Sequence, residues 1–146
     1  MEIIEYLLFS ISLIANLVLI TVFIVRKKED YHLVQRIGYF LLIPGALAVI
    51  GIIMIINQGL DGRLAWFLGF FLAFLTIELL FDYILKIDFR NNWKPLVPYL
   101  ILYYMANYSL TMMNWLFSVT RGIIILILFI IQIITNAWSH PKTKII

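Results

Sequence analysis

The sequence predicts an all-α, polytopic integral membrane protein, a bundle of five transmembrane helices forming one domain over residues 1–146. Three observations carry this expectation. First, 64% of the residues are hydrophobic and only 13% charged, with a mean hydropathy of +1.02, whereas soluble domains carry about 25% charge. A soluble chain of this length buries only about 70% of the surface its unfolded form exposes, too little to hide so much apolar area from water. Second, the apolar residues fall into five runs near the roughly 20 residues needed to cross a bilayer. Third, the basic residues lie in the gaps between those runs.

The first run extends from Ile3 to Val25 and stops at Arg26, Lys27 and Lys28. A signal peptide would have a basic start and a small-residue cleavage site. Glu2 and Glu5 contradict that, so the segment reads as a retained span. The stretch RKKEDYHLVQR, Arg26 to Arg36, is expected to be a solvated loop or a short surface helix. The second run, about 38–56, contains Pro44, Gly45, Ala48 and Gly51. Its proline removes a helical N–H and predicts a distortion there. The third run covers about 64–87. The fourth, about 95–117, opens at Pro95, a residue suited to a first helical turn. The fifth, about 122–138, is the shortest.

Orientation follows from the excess of Lys and Arg in cytoplasmic segments. With the N-terminus outside and the C-terminus cytoplasmic, the inner segments hold Arg26, Lys27, Lys28, Arg36, Lys86, Arg90, Lys94, Lys142 and Lys144, and the outer ones hold Arg63 and Arg121. Trp66, Trp93, Trp115 and Trp138 then all fall at span ends, where indole rings concentrate. The net charge of +3 therefore reads as membrane orientation and not as a nucleic-acid surface.

An ionisable side chain inside a span is costly and is a functional candidate by default. Glu78 and Asp82, at i and i+4, share one helix face about 40° apart, and Lys86 continues the line as a possible partner for Asp82. On the opposite side Ala65, Gly69 and Ala73 have the small-xxx-small spacing that lets helices approach closely, which predicts a central place for this helix. In the fourth run Tyr104, Asn107, Tyr108, Thr111, Asn114 and Ser118 fall within about 120° of arc. The fifth run aligns Gln132, Asn136 and His140, and the first aligns Glu2, Glu5, Ser12 and Asn16.

Two readings of these stripes compete. Amides and hydroxyls commonly serve as interhelical adhesive. Alternatively they line one cavity open to the cytoplasm, in which Tyr104, Asn107, Tyr108, Gln132 and Asn136 contact a ligand, with Tyr103 also near the inner surface and Arg36, Arg90 and Lys94 at the mouth. In that cavity a desolvated Glu78 is the natural general acid or base, with Asp82 and His140 as secondary catalytic candidates. No metal site or cofactor is expected: cysteine is absent, His32 and His140 are the only histidines, and there is no serine elbow, H-E-x-x-H or glycine-rich phosphate loop.

In size and span number the chain resembles half-size members of the drug and metabolite transporter group. Its carboxylates in a small bundle resemble the sterol-isomerase-like membrane proteins. Neither resemblance reaches a residue motif, and no function is carried over from either. Three functions remain in view: binding or processing of a lipid or isoprenoid amphiphile, a structural or accessory subunit of a larger membrane complex, and a homodimeric proton-coupled transporter. Membrane lipids, a second copy or a larger complex are the expected partners, and nucleic acid is not.

Overall fold

The computed structural model describes residues 2–86 and 92–139. Their regular structure is entirely helical: α1 (Glu2–Lys27), α2 (Tyr31–Gly38), a 3₁₀ turn (Tyr39–Leu41), α3 (Leu42–Asn57), α4 (Gly62–Leu79), a π-helical turn (Leu80–Ile84), α5 (Trp93–Phe117) and α6 (Val119–Ser139). Four stretches are long and apolar enough to cross a membrane: Glu2–Lys27, Tyr31–Asn57, Gly62–Ile84 and Val119–Ser139. The shortest sequence run, now α6, is among them. The fourth run, now α5, has the length at 25 residues but lies outside that set, because its amides, hydroxyls and tyrosines dilute its apolar residues.

The buried positions follow steps of three and four, the spacing of interlocking helix seams. On α1 they are Ile4, Leu8, Ile11, Ala15, Leu19 and Val22. Leu41 of the 3₁₀ turn begins a seam that continues through Pro44, Ala48, Gly51 and Ile55 of α3. On α4 it runs Leu64, Leu68, Phe71, Leu75 and Glu78. α1 packs against α2, α3, α5 and α6, while α4 lies between α3 and α5. The central helix is thus α1, and not α4 as the small-residue pattern suggested.

The small residues explain that correction. A Cβ added at Gly69 would meet nothing within 4 Å, so no helix approaches closely at the centre of this stripe. The close approaches are on α3 instead, where a Cβ at Gly45 would lie 3.1 Å from Leu75 and one at Gly51 3.1 Å from Leu68. A 3₁₀ turn at Tyr39–Leu41 precedes α3, and Pro44 falls in the first turn of that helix rather than in its interior, where its missing N–H costs least.

Side chains stop and start the helices. Asp30 accepts a hydrogen bond from the Leu33 N–H, which begins α2 within the stretch that the sequence left as loop or short helix. Asp61 caps α4 through the Arg63 N–H and pairs with the Arg63 guanidinium at 2.6 Å. Arg63 binds on both sides of that carboxylate, and its side-chain and backbone bonds hold the Asp61 pKa below its ordinary value. α5 and α6 meet at a single extended residue, Ser118. A Cβ at Gly122 would lie 2.9 Å from the Trp115 backbone, so only glycine fits this corner without displacement.

Candidate functional site

Two polar layers lie inside the helices. The first is an amide network centred on α1. Asn114 Nδ2 donates to Ser12 Oγ at 2.7 Å and to the Leu110 carbonyl at 2.8 Å, and Ser12 Oγ donates to the Leu8 carbonyl at 2.9 Å. Gln132 Nε2 donates to Asn16 Oδ1 at 2.9 Å, and Asn16 Nδ2 donates to the Ser12 carbonyl at 2.8 Å. All four side chains are buried. The network ties α5 and α6 to α1, which is the arrangement expected of adhesive. At the Glu2 end of α1, Glu5 pairs with Arg121 at 3.3 Å, and the guanidinium lies 4.9 Å from the Tyr6 ring centroid.

The second layer is charged and lies at the other end of the bundle. Glu78, 1% exposed, occupies the last seam position of α4. The helix then widens into the π turn, whose Leu85 N–H reaches back to the Leu80 carbonyl. Such turns recur at functional sites. Within it Asp82 forms an ion pair with Arg26 of α1 at 4.0 Å, the two side chains being 20% and 12% exposed. This differs from the expected i,i+4 partner, Lys86, which lies beyond the helix with φ of 49° and no longer shares its face.

Aromatic rings enclose these charges. Arg26 lies 5.3 Å from the Phe23 ring centroid, Phe23 meets Tyr103 edge-on at 6.4 Å, and Tyr103 meets Phe74 at 5.6 Å. Tyr103 is itself 1% exposed, and its hydroxyl has no hydrogen-bond partner among the described residues. Tyr83 packs on Tyr39 at 5.2 Å, and its hydroxyl occupies the space where any side chain on Gly38 would project. Glu78 is within electrostatic range of both Tyr83 and Tyr103.

The remaining sequence candidates are dispersed. Asn107 is buried and donates to the Tyr103 carbonyl at 2.9 Å, leaving its Oδ1 without a hydrogen-bond partner among the described residues. Gln132 belongs to the amide network, and its Oε1 is likewise without a partner. Asn136 is half-buried, with its carbonyl accepting from Ser139 Oγ. Tyr104 and Tyr108 are 47% and 60% exposed on the outward side of α5, and Lys94 is exposed in its first turn. Arg90 and His140 lie outside the described residues. Asp82 thus comes together with Arg26, with Glu78 buried one turn earlier on the same helix, whereas Tyr104 and Tyr108 do not join Asn107 and Gln132 around one cavity. A cleft of about 190 Å³ lies at the opposite end of α4, lined by Asp61, Arg63, Leu64, Leu116 and Phe117.

Arg26, Tyr39 and Tyr83 are the site residues that sequence reasoning passed over. Arg26 was absorbed into the orientation count. Nothing in the local pattern marks it, because its partner is 56 positions away, the difference between 26 and 82.

These observations define an all-helical chain with four helices fit to span a membrane and a charged cluster at one end of its packing seam. No known protein family, curated protein or solved structure matches it.

Proposed function

We propose that the chain is a five-span integral membrane protein, N-terminus outside and C-terminus cytoplasmic, that holds the polar head of a lipid-type or isoprenoid amphiphile at its cytoplasmic end. Glu78 is its acid–base group. The observation that supports this reading is the juxtaposition of charge and exposed apolar surface around the π turn. Arg26, Asp82 and Glu78 form the inward wall, while Tyr39, Phe40, Leu80, Ile84 and Leu85 are exposed large side chains beside it. A molecule with a polar head and an apolar tail matches that division, whereas a wholly water-soluble substrate would leave the apolar wall unused. α5 is the fifth span in this reading, its buried polar groups satisfied largely by α1 and by its own backbone.

The test is lipid retention. The purified protein is exchanged repeatedly into fresh detergent and then analysed by native mass spectrometry, using wild type and the paired variant Arg26→Gln with Asp82→Asn, which removes both charges without orphaning either. Wild type is expected to retain an amphiphile that the paired variant releases. Equal retention by both proteins, or none by wild type, would overturn the reading. Glu78→Gln is expected to retain the molecule, because it nearly preserves shape while removing the acid–base function.

A second reading, an accessory subunit of a larger membrane complex, is favoured by the bonds of Asn114 to Ser12 and Gln132 to Asn16. In this reading the buried amides serve as adhesive between helices.

A further inference from the structure

The exposed hydroxyls divide into two kinds. Thr21 Oγ1 and Thr76 Oγ1 donate to the carbonyls four residues earlier at 2.8 Å, so each is satisfied by its own helix while facing outward. Thr135 Oγ1 is served in the same way by the Ile131 carbonyl at 2.9 Å. A tyrosine hydroxyl has no such recourse, because the ring carries it too far from its own backbone. Tyr104 and Tyr108 are the tyrosines in this position near the middle of α5, and neither hydroxyl has a hydrogen bond among the described residues.

Their depth makes this costly. At 1.5 Å per residue, both lie within about 5 Å of the midpoint of α5, where lipid offers neither donors nor acceptors. They also belong to a regular stripe. Ile101, Tyr104, Tyr108 and Trp115 are all exposed on one face of α5, at intervals of three, four and seven residues, the spacing of residues that share a helix face. The outward faces of α3 and α6 differ: Ile43, Ile50 and Ile53 on one and Ile127, Ile130 and Ile134 on the other are aliphatic, as suits lipid.

We infer that the Ile101–Tyr104–Tyr108–Trp115 face of α5 is a homodimer interface, its occupant the same face of a second copy. The choice of a second copy follows from chemistry and symmetry. A phenol is both donor and acceptor, so Tyr104 and Tyr108 are complementary to themselves. Two copies inserted in one orientation are related by a two-fold axis along the membrane normal, which places equal depths opposite each other. Hydroxyl then meets hydroxyl in a layer where the surrounding lipid offers no polar group. The inference also bears on α5 falling outside the set of helices that qualify as spans on composition: Asn114 is served by α1 and Thr111 by its own backbone, and the outward phenols are served by the partner. It rests on α5 being a span, as proposed above, and is independent of the amphiphile site, which lies at the end of α4.

The chain contains no cysteine, so a single introduced thiol reports only on its own position. Ile101→Cys keeps both tyrosines. In membranes containing the full-length protein, oxidation is expected to convert most of this variant into a disulfide-linked dimer. Ile53→Cys on α3 and Ile127→Cys on α6 are expected to stay monomeric under the same treatment. Equal cross-linking at all three positions, or none at Ile101→Cys, would overturn the inference. The phenols are tested separately by Tyr104→Phe with Tyr108→Phe, a change that preserves the fold by retaining both rings. The dimer dissociation constant is expected to rise about threefold for each hydrogen bond lost. A dimer as tight as wild type would show that the hydroxyls do not hold the copies together.

Discussion

Replacing Asn16 and Asn114 separately by alanine distinguishes an adhesive network from a cavity lining. The side chain removed is the same in both, so the packing loss cancels to first approximation and the difference reports on the hydrogen bonds. In Asn114→Ala, Ser12 Oγ loses a donor but still donates to the Leu8 carbonyl at 2.9 Å, and the Leu110 carbonyl keeps its place in the helix. That variant loses one interhelical bond, worth about 0.6 kcal/mol on average in membrane bundles and rarely more than about 1.7. In Asn16→Ala, Gln132 loses the acceptor of its Nε2 at 2.9 Å while its Oε1 already has no hydrogen-bond partner among the described residues. A fully buried amide is then left with donor and acceptor both unsatisfied, which costs about 1–3 kcal/mol. Asn16→Ala is therefore expected to be the more destabilising by about 1–2 kcal/mol. Unfolding is read in bicelles by steric trapping or by SDS titration. Equal losses, or a larger loss at Asn114, would refute the reasoning, and no loss at either position would mean that water already serves these groups.

Glycine substitutions give a second contrast. Gly122→Ala brings a Cβ to 2.9 Å from the Trp115 backbone and is expected to cost about 1–3 kcal/mol, whereas Gly69→Ala meets nothing within 4 Å and is expected to be neutral or stabilising by up to about 1 kcal/mol; thermal melts in detergent check both. Asp61 supplies a pH effect. Because its folded pKa is depressed, its contribution is complete above the unfolded value of about 3.9 and is lost as pH falls through the lower folded value. Asp61→Asn is therefore expected to lower stability slightly at pH 7, where the contribution is complete, and to converge with wild type as pH falls below about 4, as thermal melts across pH would show. Finally, a reporter fused after Ile146 is expected to be cytoplasmic, and its detection on the outer side would mean that α5 does not cross the bilayer.

Much of the fold was legible because helix seams repeat locally. The steps through Leu64, Leu68, Phe71, Leu75 and Glu78 can be read from sequence, and they place Glu78 inward before any neighbour is known. The inward stripe of Ser12 and Asn16 was legible for the same reason. What sequence could not supply is which helix stands opposite. Gly69 has the spacing for close approach and meets open space, while Gly45 and Gly51 receive leucines from α4. The face of α5 shows the same limit. Tyr104, Tyr108 and Asn107 fall in one arc, yet the arc straddles the boundary between inside and outside. At Asp82 the local rule pointed to Lys86, and the π turn broke the periodicity on which that rule depends.

The one-residue corner at Ser118 also constrains how such a bundle is made. In the five-span arrangement proposed above, α5 and α6 have no intervening segment that could be translocated independently. α6 carries the apolar length that drives partition into lipid and α5 does not, so the pair must enter the bilayer as a hairpin, with α6 drawing its more polar neighbour in behind α1. Lengthening that corner with a flexible linker would uncouple the two insertions and strand α5 at the membrane surface, with every native side chain still present.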